Sequence, residues 1–115
     1  MEDIIKDVHR TFPNHPFFAE KGGYGQKSLE YVLKGLSITY KEMGYCQGLN
    51  FICALLVLYC NDEEAYWIMN SLMIQYNLEK YYRDLISVKR PLFILDGLIS
   101  LFFPKVGQVF VKLFF

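Results

Sequence analysis

Apolar side chains along this chain recur at the three- and four-residue intervals of helices, and no alternating stretch is long enough to compete as strand. Ile4, Ile5 and Val8 form the first such stripe and predict a short helix over residues 3–10, with Asp7 and Arg10 one turn apart on another side. The segment Thr11-Phe12-Pro13-Asn14-His15-Pro16 breaks it, because each proline lacks a donor and restrains the residue before it. A loop is expected to continue through Gly22, Gly23 and Gly25. Leu29, Val32, Leu33, Leu36 and Tyr40 then line one side of a second helix over residues 28–40, closed off near Gly44.

The stretch Leu49–Tyr59 is apolar nearly all round, the pattern of a helix at the centre of a bundle. Asn61 and Glu64 have the spacing of a capping box ahead of Ala65, Trp67, Ile68, Leu72 and Met73, which marks the next helix start, and Asn77 suits its end. A short helix follows over 78–86. Pro91 fits the first turn of another that runs to about Phe103, and Pro104 stops that one while opening a final helix. The fold class is therefore all-α, with about six helices in one domain or a piece of one. The end, Lys-Leu-Phe-Phe, has no polar tail or glycine stop, so the architecture is expected to continue. Phe110, Val111, Leu113, Phe114 and Phe115 are expected to present apolar surface to a missing partner.

Composition narrows the function classes. At 53% hydrophobic and 17% aromatic residues, the chain is no disordered tail. Lysine plus arginine equal aspartate plus glutamate at 12 each, so no net field draws it to nucleic acid or anionic lipid. Both of the most apolar stretches fall short of the ~20 residues that span a bilayer, and the second contains Asp96. No secretion signal opens the sequence, and a cytoplasmic setting is expected. Cys46, Cys53 and Cys60 recur every seven residues, which places them along one side of a helix. That spacing is wrong for zinc, and ~10 Å of helix rise between neighbours excludes a disulfide, so reduced thiols are expected. His9 and His15 read as surface or loop histidines, no metal site is expected, and Trp67 and the tyrosines read as core.

Two segments carry candidate chemistry. Ile4-x-x-Asp7-x-x-Arg10-Thr11-Phe12-Pro13 puts an arginine at a helix end, on a base fixed by the proline-restrained loop. A permanently charged planar guanidinium can neutralise charge on a transferring phosphoryl group, and Asp7 could orient it through a charge-assisted bond. The plainer reading is that Arg10 complements the helix dipole, with Asp7 as an intrahelical partner. Gly44-Tyr45-Cys46-Gln47-Gly48-Leu49-Asn50 offers a hinge, an amphipathic aromatic and a glutamine beside a residue that permits close approach. A neutral amide can donate to one oxygen and accept from another, as the positioning of an attacking water requires. Its plainer reading is that Gln47 caps a helix, Gly44 and Gly48 serve a turn, and Tyr45 fills core space.

Taken together, Ile4-x-x-Asp7-x-x-Arg10-Thr11-x-Pro13 and the downstream Tyr45-x-Gln47-Gly48 resemble the paired fingerprint of TBC domains, with Leu49 where methionine is common before Asn50. The resemblance covers essentially the whole chain, residues 1–115, as part of such a domain. It implies a GTPase activator for a Rab-family GTPase in its GTP form. Arg10 would be the arginine finger and Gln47 the glutamine that orients water, with Asp7, Thr11, Tyr45 and Gly48 in support or at the Rab interface. It implies no cofactor of the chain's own: GTP and magnesium would be held by the partner, through which the chain would reach endomembranes. Gly22-Gly23-Tyr24-Gly25 lacks the lysine of a phosphate loop. Because further helices precede and follow this region in the family, a truncated, non-catalytic module that binds a GTPase or another helical partner is the competing reading.

Overall fold

The computed structural model of the chain describes residues 2–84 and 89–114, in which there are eight helices and no strand. These residues group into two units divided at Arg83 and Asp84. In the first lie α1 (Glu2–Arg10), α2 (Pro16–Ala19), α3 (Tyr24–Thr39), α4 (Leu49–Tyr59), α5 (Asp62–Gln75) and α6 (Leu78–Arg83). The second contains α7 (Lys89–Phe102) and α8 (Pro104–Phe114).

The middle of the first unit is occupied by α3, which packs against α1, α2, α4 and α5. Its Leu29, Val32, Leu33 and Leu36 are all but inaccessible, and Ile4 and Val8 of α1, Phe18 of α2, Cys53 and Val57 of α4, and Ala65 and Met69 of α5 close around them. Within the first unit the apolar stretch of α4 packs against α3, α5 and α1, and its Phe51, Leu55 and Tyr59 are exposed. Among the described residues of the first unit the central place expected for α4 is taken by α3, which four other helices contact. Trp67, expected in the core, is 56% exposed on α5, where Met69 and Met73 take the inward positions.

Local signals account for most boundaries. Asn61 caps α5 by accepting from the Glu64 amide at 2.8 Å while the Glu64 carboxylate accepts from the Asn61 amide, a complete capping box. The chain leaves α5 through Asn77 in the left-handed region (φ 51°), a conformation asparagine tolerates. Pro104 separates α7 from α8.

The loop expected to run through Gly25 instead contains α2, which His15 caps by accepting from the Phe17 amide at 3.1 Å, and α3 already starts at Tyr24. Gly25 belongs to α3 because a Cβ there would lie 2.0 Å from the Phe17 carbonyl oxygen; its absence lets α2 and α3 touch. Of the cysteines, Cys53 alone lies within α4: Cys46 precedes the helix and Cys60 is its C-cap residue, so the three do not share one helix, although all are free thiols. Within the second unit α7 and α8 pack on one another, with Gly107 buried near Ile99 and Ser100. The helix expected over 78–86 ends at Arg83, with Asp84 outside it; its last two expected residues, and the side chains of Phe110, Val111, Leu113, Phe114 and Phe115, lie outside the described residues.

Candidate functional site

The first helix turns its carboxylate inward. Asp7 shares the buried face of α1 with Ile4 and Val8, whereas Ile5, expected on the apolar stripe, is 40% exposed. A buried carboxylate is tolerable when donors satisfy it, and here two do. Tyr45, arriving from the loop before α4, donates its hydroxyl to Asp7 Oδ2 at 2.5 Å, and Arg10 Nη2 donates to Oδ1. The Tyr45 bond is the chief reason the Asp7 carboxyl titrates below its ordinary value; Arg10 adds to it, and burial works against both. Burial, reinforced by the same contact, pushes the Tyr45 hydroxyl well above the usual phenol range.

Although tied to Asp7, Arg10 keeps a largely exposed side chain. A guanidinium has five N–H donors, so one bond to a carboxylate orients it without exhausting it. The chain then turns sharply. Thr11 is fully buried and donates its hydroxyl to the Asp7 backbone carbonyl at 2.5 Å. Phe12 takes a left-handed conformation (φ 43°), uncommon for a bulky residue, with its ring against Phe18 and Phe51 at centroid distances of 6.2 and 5.7 Å.

Gln47 stands on the strand of loop that leads into α4, with its side chain exposed. The plainer reading that it caps that helix is not what the fold adopts. Gly48 is the N-cap residue, at φ 109°, and no side chain caps from that position. An added Cβ at Gly48 would meet nothing within 4 Å, so glycine is required there for its backbone conformation and not for space. The Gly48 amide donates to Asn50 Oδ1 at 2.9 Å, and Asn50 Nδ2 donates to Thr11 Oγ1 at 2.8 Å.

Asp3, Lys6, Asp7, Arg10, Tyr45 and Gln47 together line a hollow of about 270 Å³. The fold thus brings Arg10 and Gln47, 37 positions apart in sequence, to one concavity that Asp7 and Tyr45 also line. Thr11 and Gly48 are not among its lining residues and are linked to each other through Asn50. Sequence reasoning did not single out Asp3 and Lys6, which share the hollow because they lie one turn before Asp7 and Arg10. Nor did it give Asn50 a role, since its partner Thr11 is 39 residues away and no local spacing links them.

A model of the Rab-GTPase-TBC domain matches residues 1–114 of this sequence. The chain belongs to the Rab-GTPase-TBC domain family. It is 41% identical over 97 residues to human TBC1 domain family member 1, covering 84% of this chain and 8% of that protein. It is 40% identical over 80 residues to the Rab GTPase-activating protein tbc-11 of Caenorhabditis elegans, covering 70% of this chain and 9% of that protein. With human small G protein signaling modulator 3 the identity is 32% over 109 residues, 94% of this chain and 15% of the relative. The chain therefore spans a small part of the length of these relatives. No helix among the described residues of this TBC-family chain is long and apolar enough to cross a membrane.

Proposed function

We propose that this chain carries the catalytic face of an activator for a Rab-family GTPase, acting on the GTP-bound form. The reading is supported by one observation above all: Arg10 and Gln47 line the same hollow, each beside a backbone group held by a hydrogen bond. Docked on a GTPase, Arg10 would place its planar guanidinium against the transferring phosphoryl group and offset the charge that develops there. Asp7 fixes the direction of that guanidinium. Gln47 would donate to and accept from the oxygens around the attacking water, supplying from outside the amide that orients it. Nucleotide and magnesium belong to the partner, and recruitment of the chain to an endomembrane would follow from the partner's location.

The test is single-turnover phosphate release from GTP-loaded Rab proteins, using the unmodified chain, Gln47→Ala, and a GTPase whose own catalytic glutamine has been replaced. The expected result is that the unmodified chain accelerates hydrolysis even by the glutamine-deficient GTPase, whereas Gln47→Ala does not. Rab binding without acceleration by the unmodified chain would overturn the catalytic reading in favour of a binding module.

A further inference from the structure

Thr11 has one hydroxyl hydrogen, and it goes to the Asp7 carbonyl. Toward Asn50 it can therefore only accept, so the group facing it must be a donor. On the other side the Gly48 amide can only donate, and the group facing it must be an acceptor. These two demands fix the orientation of the Asn50 carboxamide, with Nδ2 to Thr11 and Oδ1 to Gly48. They also exclude its near-isosteres. Aspartate would set an oxygen against the Thr11 oxygen, leucine would leave both partners unsatisfied, and glutamine is one methylene too long for a residue that is 3% exposed.

The consequence falls on Gln47. It lies between two ties to α1: Tyr45 to the Asp7 carboxylate on one side, and Gly48 through Asn50 and Thr11 to the Asp7 backbone carbonyl on the other. Arg10 is bound to the same Asp7 carboxylate. The separation of glutamine and arginine is thus set by a closed hydrogen-bonded ring in which Asp7 and Asn50 are the two junctions. Asn50 is buried, with one end of its carboxamide on Gly48 and the other on Thr11, so it acts through those neighbours.

We infer that Asn50 is a positioning residue for Gln47, holding the Gly48 backbone to Thr11 so that the glutamine and Arg10 face the GTPase in fixed register. This rests on the GTPase-activating function proposed above. A misplacement of about 1 Å at a reacting centre costs up to ~10²-fold in rate, so releasing this tie affects turnover more than association.

The experiment is single-turnover phosphate release across a range of chain concentrations, with Asn50→Asp, Gln47→Ala and the double variant. Circular dichroism confirms that each remains helical at the assay temperature. Asn50→Asp is expected to lower the maximal rate about 10–100-fold, to leave the half-saturating concentration within about threefold, and to cost nothing further in the Gln47→Ala background. Thr11→Val, which removes the hydroxyl while keeping the shape, is expected to reproduce that pattern and serves if Asn50→Asp fails to fold. A full additional loss on top of Gln47→Ala, or a folded Asn50→Asp with the parental rate, overturns the positioning role alone. An unmodified chain that stimulates no Rab overturns the parent function, and the inference with it.

Discussion

Tyr45 donates its hydroxyl to the buried carboxylate of Asp7 at 2.5 Å, across 38 positions of sequence. This bond joins the two segments that carry the candidate chemistry. It places the loop bearing Gln47 beside the helix that ends in Arg10, and it leaves Asp7 with one oxygen for each partner.

Arg10→Ala is expected to remove most of the stimulation of GTP hydrolysis, within the ~10³–10⁵-fold range of an arginine finger. Arg10→Lys should be nearly as poor, because a compact ammonium cannot bond Asp7 and a phosphoryl oxygen in the geometry of a planar fork. Single-turnover phosphate release checks both; unchanged rates in the two variants would remove Arg10 from the mechanism.

Tyr45→Phe is expected to lower stability at neutral pH by ~1.5–3 kcal/mol, the usual worth of a hydrogen bond to a charged group, because Asp7 stays buried with one donor gone. The penalty should depend on pH. The folded-state value of Asp7 lies below 3.8, so its ionised form contributes stability above the ordinary carboxylate range, and that contribution fades as pH falls through the lowered value. In Tyr45→Phe the folded value moves back up, and the two stability curves should converge in acid. Urea unfolding at a series of pH values measures this, and a gap that stays constant down to the most acidic pH would contradict it.

Asn61→Ala should cost about 1 kcal/mol by opening the capping box at the start of α5, with Glu64→Ala costing less because the Asn61 amide it serves is exposed to water. Thermal unfolding of the two single variants and the double variant would show them to be coupled. Strict additivity would mean that the box acts as two separate bonds.

Gly25→Ala runs against helix propensity. Alanine ordinarily stabilises a helix interior relative to glycine, yet here its Cβ would sit 2.0 Å from the Phe17 carbonyl oxygen. The variant should lose at least the ~1–3 kcal/mol of an overpacked contact as α2 is forced away from α3. A variant as stable as the parent in chemical denaturation would show that α2 can shift without cost.

Helix placement was legible from the sequence wherever the signal was local. The box formed by Asn61 and Glu64, the break at Pro104 and the limits of α4 rest on residues within a turn or two of one another, and each is found as expected. The pairing of the Arg10 and Gln47 segments was legible as well, through their resemblance to one family, and residues 1–114 match that family.

What the sequence could not specify is which side of each helix finds a neighbour. Asp7 read as an intrahelical partner of Arg10 on a side apart from the apolar stripe, yet it is buried with Ile4 and Val8 where α1 meets α3 and α4. Trp67 looked like core, yet the face of α5 that meets α3 carries Ala65, Met69 and Met73. Periodicity describes one helix at a time, and the hydrogen bonds of Tyr45 to Asp7 and Asn50 to Thr11 exist because two distant helices meet. The sequence by itself determined most of the helices, the capping box of α5 and the segments proposed to carry the chemistry, but not α2 or the start of α3. The tertiary structure decided which residues of those segments share a hollow, because burial and long-range pairing depend on the packing of α1, α3 and α4 and not on spacing along any one of them.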